Sequence, residues 1–488
     1  MAVSLYTSRV ILNTLGVEDY GIYNVVGGVV TMFAFLNGAL VTSTQRYLTY
    51  ELGRNDFHRL KKVFTTSILI HAIISLLIVL LAETAGLWFL NNKMIIPEER
   101  VYAASWVFQF SIITMVVQVM IVPFNSIIIA HEKMNVFAII SIIEVFLKLF
   151  IVYLLLFSCW DKLIVYALLF SIAQVIILCV YIFYCRKKYE ETTLVKGIER
   201  GLVVEMGKFA GWNVWGNLAG TLFGTGLNLL LNVFFGPVVN AARGIAVQVE
   251  AAMNQFSTSF LMAVNPQITK LYAQGNLNEM HTLLFRSSKF TGYLLLMLTI
   301  PVVLETNTIL VLWLKTVPDY TVSFIRVLLC IVIMDSMARP LMTAAAATGD
   351  VKKYQSVIGG ILLAIVPVAY VVLKLGAKPT SVYIVHLIIC AIACIARLLI
   401  VRPMINLSIK DYSRAVLLPS FIVTVLSFVS ALGLHLLLPN GFCYTIIVCL
   451  YSVFIVAILA YTVGLTKGER SFVNDKLVTL YKRVARHD

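Results

Sequence analysis

The sequence predicts an all-α polytopic membrane protein of about 14 transmembrane helices, arranged as two pseudo-symmetric six-helix lobes plus two C-terminal helices. Three observations lead there. First, 60% of the 488 residues are hydrophobic and only 13% are charged, a balance that no soluble globular chain of this length shows. Second, the apolar residues fall into runs long enough to cross a ~30 Å hydrocarbon core, which takes roughly 20 residues as a helix. Third, the layout of residues 9–67 recurs in residues 229–289: Leu12-Asn13 before Gly16 answers Leu231-Asn232 before Gly236, and Gln45, Tyr50 and Gly53 answer Gln267, Tyr272 and Gly275. A chain that repeats its opening near its midpoint is built as two similar bundles, the plan of many transporters.

Breaks at charged or turn-rich segments place the spans at 1–15, 20–45, 63–90, 101–130, 135–158, 163–185, 209–235, 240–268, 290–314, 321–347, 354–373, 381–401, 415–438 and 442–465. The first is short, since fewer than about 20 residues precede the turn at Gly16, and its start is expected to be missing or misassigned. No cleavable signal peptide is read, because Met1 is followed at once by an apolar run. The expected domains are an N-terminal lobe over 1–185, a cytoplasmic linker over 186–208, a C-terminal lobe over 209–402, two further helices over 415–465 and a basic tail over 466–488. In that tail Val473, Leu477, Leu480 and Val484 form a stripe opposite Lys476, Lys482, Arg483 and Arg486, the pattern of an interfacial helix on anionic lipid.

The net charge of +14 could suggest nucleic acid, but the cations sit in short loops between apolar spans, where they set membrane orientation instead. If the first span starts inside, the inner loops hold 26 Lys and Arg and the outer turns hold 6, so both termini are expected in the cytoplasm. The eight cysteines lie mostly inside spans, with Cys390 and Cys394 one turn apart, and give no disulfide framework or metal spacing. The histidines are scattered, no Gly-rich phosphate loop follows a strand, and the acidic pairs Glu98-Glu99 and Glu190-Glu191 read as solvated loop charge. The outer turns, about ten residues or shorter, are ordinary connections with no room for an acceptor domain. No cofactor, metal site or enzymatic activity is expected.

Polar groups inside spans carry the functional information, because one charge at the bilayer centre costs ~2.5–3.5 kcal/mol on insertion scales. They are Arg9, Glu83, Glu144, Lys148, Arg243, Glu250, Glu305, Arg326, Asp335, Arg339 and Arg397, with His386 beside them. Arg9, Glu83, Glu305 and Arg326 lie near enough to span ends to snorkel. Glu144 and Lys148, like Asp335 and Arg339, stand one helical turn apart and can neutralise each other. Buried pairs often fail to offset their desolvation, so both pairs are assigned to transport. The seventh span presents Gly216, Gly220 and Gly224 along one face, a spacing that lets a neighbouring helix approach closely. Along another it presents Asn213, Asn217, Thr221, Thr225, Asn228 and Asn232, a wall for water. Arg243, Glu250, Asn254, Ser257 and Asn265 continue that lining in the eighth span.

The opening TSRVILNTLGVEDYGIYNVVGG, the NPQITKLYAQG motif at 265–275 and the RPLMTAAAATGDVKKYQ stretch at 339–355 resemble bacterial O-antigen and capsule polysaccharide flippases. These belong to the multidrug/oligosaccharidyl-lipid/polysaccharide exporter superfamily, which also holds multidrug and toxin extrusion transporters. The resemblance covers essentially the whole chain. It implies two six-helix lobes around a central cavity and flipping of an undecaprenyl-diphosphate-linked oligosaccharide across the bacterial inner membrane by alternating access, coupled to H+ or Na+. Membrane lipids and other polysaccharide assembly proteins are the further partners implied, and nucleic acid is not among them. Arginine offers a fixed fork that matches phosphate oxygens, so Lys148, Arg243, Arg339 and Arg397, with Asn213, Asn217 and Asn254, are the expected substrate-binding residues, Arg243 foremost. Glu144, Glu250 and Asp335 are the expected ion-coupling groups. Three alternatives stay open: a multidrug or cation antiporter of the same superfamily, a membrane enzyme of envelope assembly, and a non-transporting scaffold.

Overall fold

A computed structural model describes residues 34–475 except 95, 159, 196, 198, 315, 316, 440 and 472, together with 10, 11, 14–16, 19, 21–23, 26 and 27. Arg9 and the stripe positions Leu477, Leu480 and Val484 lie outside the described residues. Every regular element among the described residues is helical, and 11 of their helices are long and apolar enough to cross a membrane. The α-helices of nine residues or more are α1 Ala34–Arg54, α2 Phe57–Leu81, α3 Val101–Ala130, α4 Met134–Leu156, α5 Lys162–Lys188, α6 Arg200–Phe235, α7 Pro237–Ala273 and α8 Leu277–Leu304. Then follow α9 Thr306–Leu314, α10 Thr321–Thr348, α11 Lys352–Leu363, α12 Ile365–Lys374, α13 Ser381–Met404, α14 Leu418–Leu437 and α15 Phe442–Leu459. The chain forms two compact units, Met1–Asn217 and Leu218–Asp488, whose boundary falls within α6.

Two segments read from sequence as basic loops are largely helix. In place of a loop over 46–62, α1 runs to Arg54 and α2 starts at Phe57, leaving Asn55 at φ 58° and Asp56, whose carboxylate accepts the Arg59 amide at 2.9 Å. Likewise 270–289 holds the end of α7, a turn at Gly275 with φ 78°, and the start of α8. Both turns close in the same way: Asn55 N–H donates to Leu52 and Asp56 N–H to Glu51, as Gly275 N–H donates to Tyr272 and Asn276 N–H to Leu271. This is the Schellman pattern, which needs a left-handed residue after the helix. It makes Asn55, not Gly53, the counterpart of Gly275. At the opposite end of the repeat, Gly16 and Gly236 are both left-handed, at φ 82° and 78°, and Pro237 starts α7 where its missing N–H costs nothing.

In the first unit, α3 packs against α1, α2 and α5. Phe108 is fully buried, and it lies so near the π turn Ala82–Gly86 that a Cβ on Gly86 would come within 2.8 Å of its ring. Charge ties the loops: Arg100 donates to Asp19 at 2.7 Å and to Asp161 at 2.6 Å. Glu191, expected to be solvated, is instead 5% exposed and pairs with His131 at 2.5 Å, while Tyr189 stacks on that imidazole.

In the second unit, α10 packs against α7, α8 and α13, and the pair α14–α15 packs on α8. Lipid tails are as apolar as leucine, so helix association rests on close packing and on polar contacts. Both kinds fasten α14–α15. At one end Glu305, expected to snorkel, is 6% exposed and accepts from His435 at 2.8 Å and from Thr445 at 3.0 Å. At the other, Lys289, counted above with the basic loops, is 1% exposed and donates to buried Glu469 at 2.6 Å. Two members of the glycine ladder of α6 make no close packing contact: a Cβ on Gly220 or Gly224 would meet nothing within 4 Å, whereas one on Gly226 would sit 2.7 Å from Val366.

Candidate functional site

Within the second unit α7, α10 and α13 each present polar residues at intervals of three, four, seven or eleven, the spacings that stack side chains along one helical face. Helix α7 contributes Arg243, Glu250, Asn254, Thr258 and Asn265; α10 contributes Asp335, Arg339 and Thr343; α13 contributes Tyr383, His386 and Arg397. Their side chains interlock. Asp335 Oδ1 accepts from Arg397 Nη1 at 2.6 Å, and its Oδ2 lies 3.6 Å from Arg339 Nε. Arg339 in turn donates to Thr258 Oγ1 at 2.9 Å and to Asn254 Oδ1 at 2.8 Å. Toward the start of α7, Arg243 donates to Tyr383 Oη at 3.1 Å and to the Gly224 carbonyl of α6 at 2.8 Å. Toward its end, Thr343 donates to Asn265 at 2.9 Å. At ~1.5 Å rise per residue the column from Arg243 to Asn265 runs about 33 Å, the thickness of a hydrocarbon core.

Three guanidinium groups and two carboxylates share this column, so its formal charge is +1. The three arginines are held differently. Arg397 and Arg243 are each 8% exposed, the former by its short pair with Asp335 and the latter on neutral acceptors. Arg339 keeps 28% of its side chain exposed while its fork is oriented by Asn254 and Thr258. A guanidinium that is fixed in direction yet open to solvent can take a bidentate oxyanion without breaking a tight ion pair. Glu250 feels the charges of Arg243, Arg339 and Asp335. His386 sits between Arg243 and Asp335 electrostatically and packs edge-on to Phe223 at 5.2 Å.

The structure thus brings together Arg243, Glu250, Asn254, Asp335, Arg339 and Arg397 of the predicted set. Glu144 and Lys148 belong to the first unit, where they pair at 2.7 Å, both partly exposed, with Gln174 also donating to Glu144. Asn213 and Asn217 fall in that unit too; Asn213 is buried and donates to Phe209 of its own helix. Ser257 faces inward, 2% exposed, and does not join the lining. Thr258, Thr343 and Tyr383 were not singled out from the sequence; their partners lie on other helices, and the spacing of Thr258 from Asn254 and of Thr343 from Arg339 was the signal on offer. Among the described residues no group of three or more His, Cys, Asp or Glu could hold a metal ion.

Residues 2–272 match the profile of the family described as "Polysaccharide biosynthesis protein". The chain belongs to that family. A curated relative, "Uncharacterized membrane protein EpsK" of Bacillus subtilis (strain 168), is 20% identical over 296 residues, which make up 60% of this chain and 58% of that protein. The fold is that of MATE transporters. The crystal structure of a MATE point mutant superposes with TM-score 0.73 at 14% identity, over 83% of this chain and 93% of that one. An outward-facing multidrug resistance MATE family transporter of the MOP superfamily gives 0.71 at 14% identity, with 83% and 92% covered. A MOP superfamily transporter from Pyrococcus furiosus, described as having a binding pocket of reverse polarity, gives 0.67 at 15%, with 83% and 93% covered.

Proposed function

We propose that this member of the polysaccharide biosynthesis family is a flippase. It moves an undecaprenyl-diphosphate-linked oligosaccharide across the bacterial cytoplasmic membrane by alternating access, with an ion gradient driving the cycle. The observation that carries this reading is the open, oriented guanidinium of Arg339 inside a membrane-spanning helix, within a column whose charge is +1. A diphosphate entering the bilayer needs such a partner, and a site for cationic drugs would call for the opposite sign. Arg243 and Arg397 supply background positive charge; Lys148, Asn213 and Asn217 serve the same substrate from the first unit. Glu250 and Asp335, and Glu144 in the first unit, are the groups that take up the coupling cation, H+ or Na+, on the return.

The test is surface glycan in a flippase-deleted bacterial host, read together with membrane protein level and inner-leaflet accumulation of the lipid-linked oligosaccharide. Arg339→Ala, made at normal protein level, is expected to abolish export and to raise the inner-leaflet pool. Arg339→Lys keeps charge without the fork and is expected to fall between Ala and the parent. Full export by the Ala variant overturns the reading.

A further inference from the structure

The exposed faces of the long helices are of two kinds. On α4 the exposed positions include Ile139, Ile142, Phe146 and Phe150, and on α14 Phe421, Val425, Val429 and Leu436; these meet lipid tails. On α7, next to the face that carries Arg243 and Asn254, the exposed positions Ala241, Gly244, Gln248, Ala251, Gln255 and Ser259 form a stripe with no apolar side chain larger than Ala, bordered by exposed Val247 on one side and by Val238 and Phe256 on the other. Gln255 Nε2 lies 3.5 Å from Ser259 Oγ, and Ser259 donates to the Gln255 carbonyl at 2.8 Å. Helix α6 has a second face of this kind, with Thr221, Thr225, Asn228 and Asn232 exposed; the carbonyl of Gly224 beside Thr225 receives Arg243 from α7. A carboxamide turned toward lipid would cost several kcal/mol, so these faces meet water or a polar solute. Neither carries a charged residue among its exposed positions.

Resting on the flippase reading above, we infer that the exposed amide and hydroxyl face of α7, with that of α6, is the surface that takes the sugar part of the substrate, a neutral, hydroxyl-rich oligosaccharide. Three features carry this. Glutamine and asparagine both donate and accept, which matches neighbouring hydroxyls that do the same and gives an ionic drug no counter-charge. Ala251 between the two glutamines, with Gly244 and Ala241 before them, lets a ring approach the helix. The face is also continuous with the proposed diphosphate site, since Thr258, which orients Arg339, is exposed one helical turn from Gln255. The lipid-linked substrate has the same order, an anionic diphosphate followed directly by neutral sugar.

The experiment uses the purified full-length protein in nanodiscs and two probes: undecaprenyl diphosphate alone, and the same lipid bearing a neutral trisaccharide. The parent protein is expected to bind the glycan-bearing probe about tenfold more tightly, since each added hydrogen bond contributes ~1 kcal/mol. Gln248→Leu with Gln255→Leu is expected to bring the two affinities within about twofold of each other while bare-lipid binding stays unchanged. Gln255→Ala alone, which adds no bulk, should lose part of the preference and serves if the double variant does not assemble. A parent protein without preference, or a Gln255→Ala variant that keeps all of it, overturns the inference and leaves the flippase reading standing. If the parent binds neither probe, or if Arg339→Ala weakens neither, the flippase reading falls and this inference with it.

Discussion

Arg339 and Arg397 approach the same carboxylate, yet substitution should affect them in opposite ways. Arg397 gives Asp335 its short contact and is itself buried. Removing it leaves Asp335, whose side chain is 33% exposed, with Arg339 at 3.6 Å, and losing a charged hydrogen bond of this kind costs about 1.5–3 kcal/mol. Arg397→Ala is therefore expected to lower the thermal midpoint in detergent and the amount of protein in the membrane, whereas Arg339→Ala keeps both and loses export. Equal loss of protein level in the two variants would remove the distinction. The sequence made half of this arrangement legible. Asp335 and Arg339 share a helix and stand four apart, so their pairing follows from spacing alone. The stronger partner comes from 62 positions further on, and no local pattern announces a contact set by how α10 and α13 pack. For the same reason the sequence ranked Arg243 first, because its hold on Tyr383 and Gly224 depends on two other helices.

Among the elements, the helices were legible from their apolar runs and breaks, while their ends and the meaning of their glycines were not. Counting cations by loop treated helix ends as loop because Lys, Arg and Glu are good helix formers wherever a terminus projects into water. The glycines divide by what faces them. Gly220→Leu on α6 is expected to leave assembly intact, since its Cβ meets open space, whereas Gly226→Leu drives a side chain into Val366 and costs about 1–3 kcal/mol, as overpacking does. Membrane protein level and thermal midpoint separate the two, and equal loss in both would show that the open space at Gly220 is filled in the membrane. The turn after α5 carries a pH signature. Burial alone would raise the Glu191 carboxyl, but its hydrogen bond and charge interaction with His131 outweigh that and hold it below the ordinary glutamate value. A depressed carboxyl stabilises the fold above the unfolded glutamate range, near pH 4.3, and that stability fades as pH falls through the folded value. Thermal midpoints measured from pH 6 down to pH 3 should therefore fall less steeply in Glu191→Gln. The variant should also be less stable by ~1–2 kcal/mol near neutrality, the pair being partly open at His131. Parallel pH profiles would sink the assignment.

On the scale of the whole chain, the repeat is written most firmly in backbone geometry: Gly16 with Gly236, and Asn55 with Gly275, place left-handed residues at matching points of the two openings. Sidedness follows from a different physical cause, the retention of Lys and Arg on the cytoplasmic side during insertion. With the first span starting inside, the alternation of spans assigns 26 of the 38 cations to inner loops and 6 to outer turns. Burial weakens that count only slightly, since Arg46 and Lys289 are the two of the 26 found buried among the described residues. Their charge still has to be held back on one side before the fold closes over it. Both termini are therefore expected in the cytoplasm, and Gly197 offers the direct test: it is exposed, left-handed at φ 107° and has nothing within 4 Å of a built Cβ, although a non-glycine residue there bears some strain. In a cysteine-free background, a cysteine at Gly197 should stay unlabelled by an impermeant maleimide added to intact cells and react once the membrane is permeabilised. Labelling in intact cells would invert the orientation. Arg339 would then face the substrate from the wrong starting leaflet, and export from the cytoplasmic side would lose its structural basis.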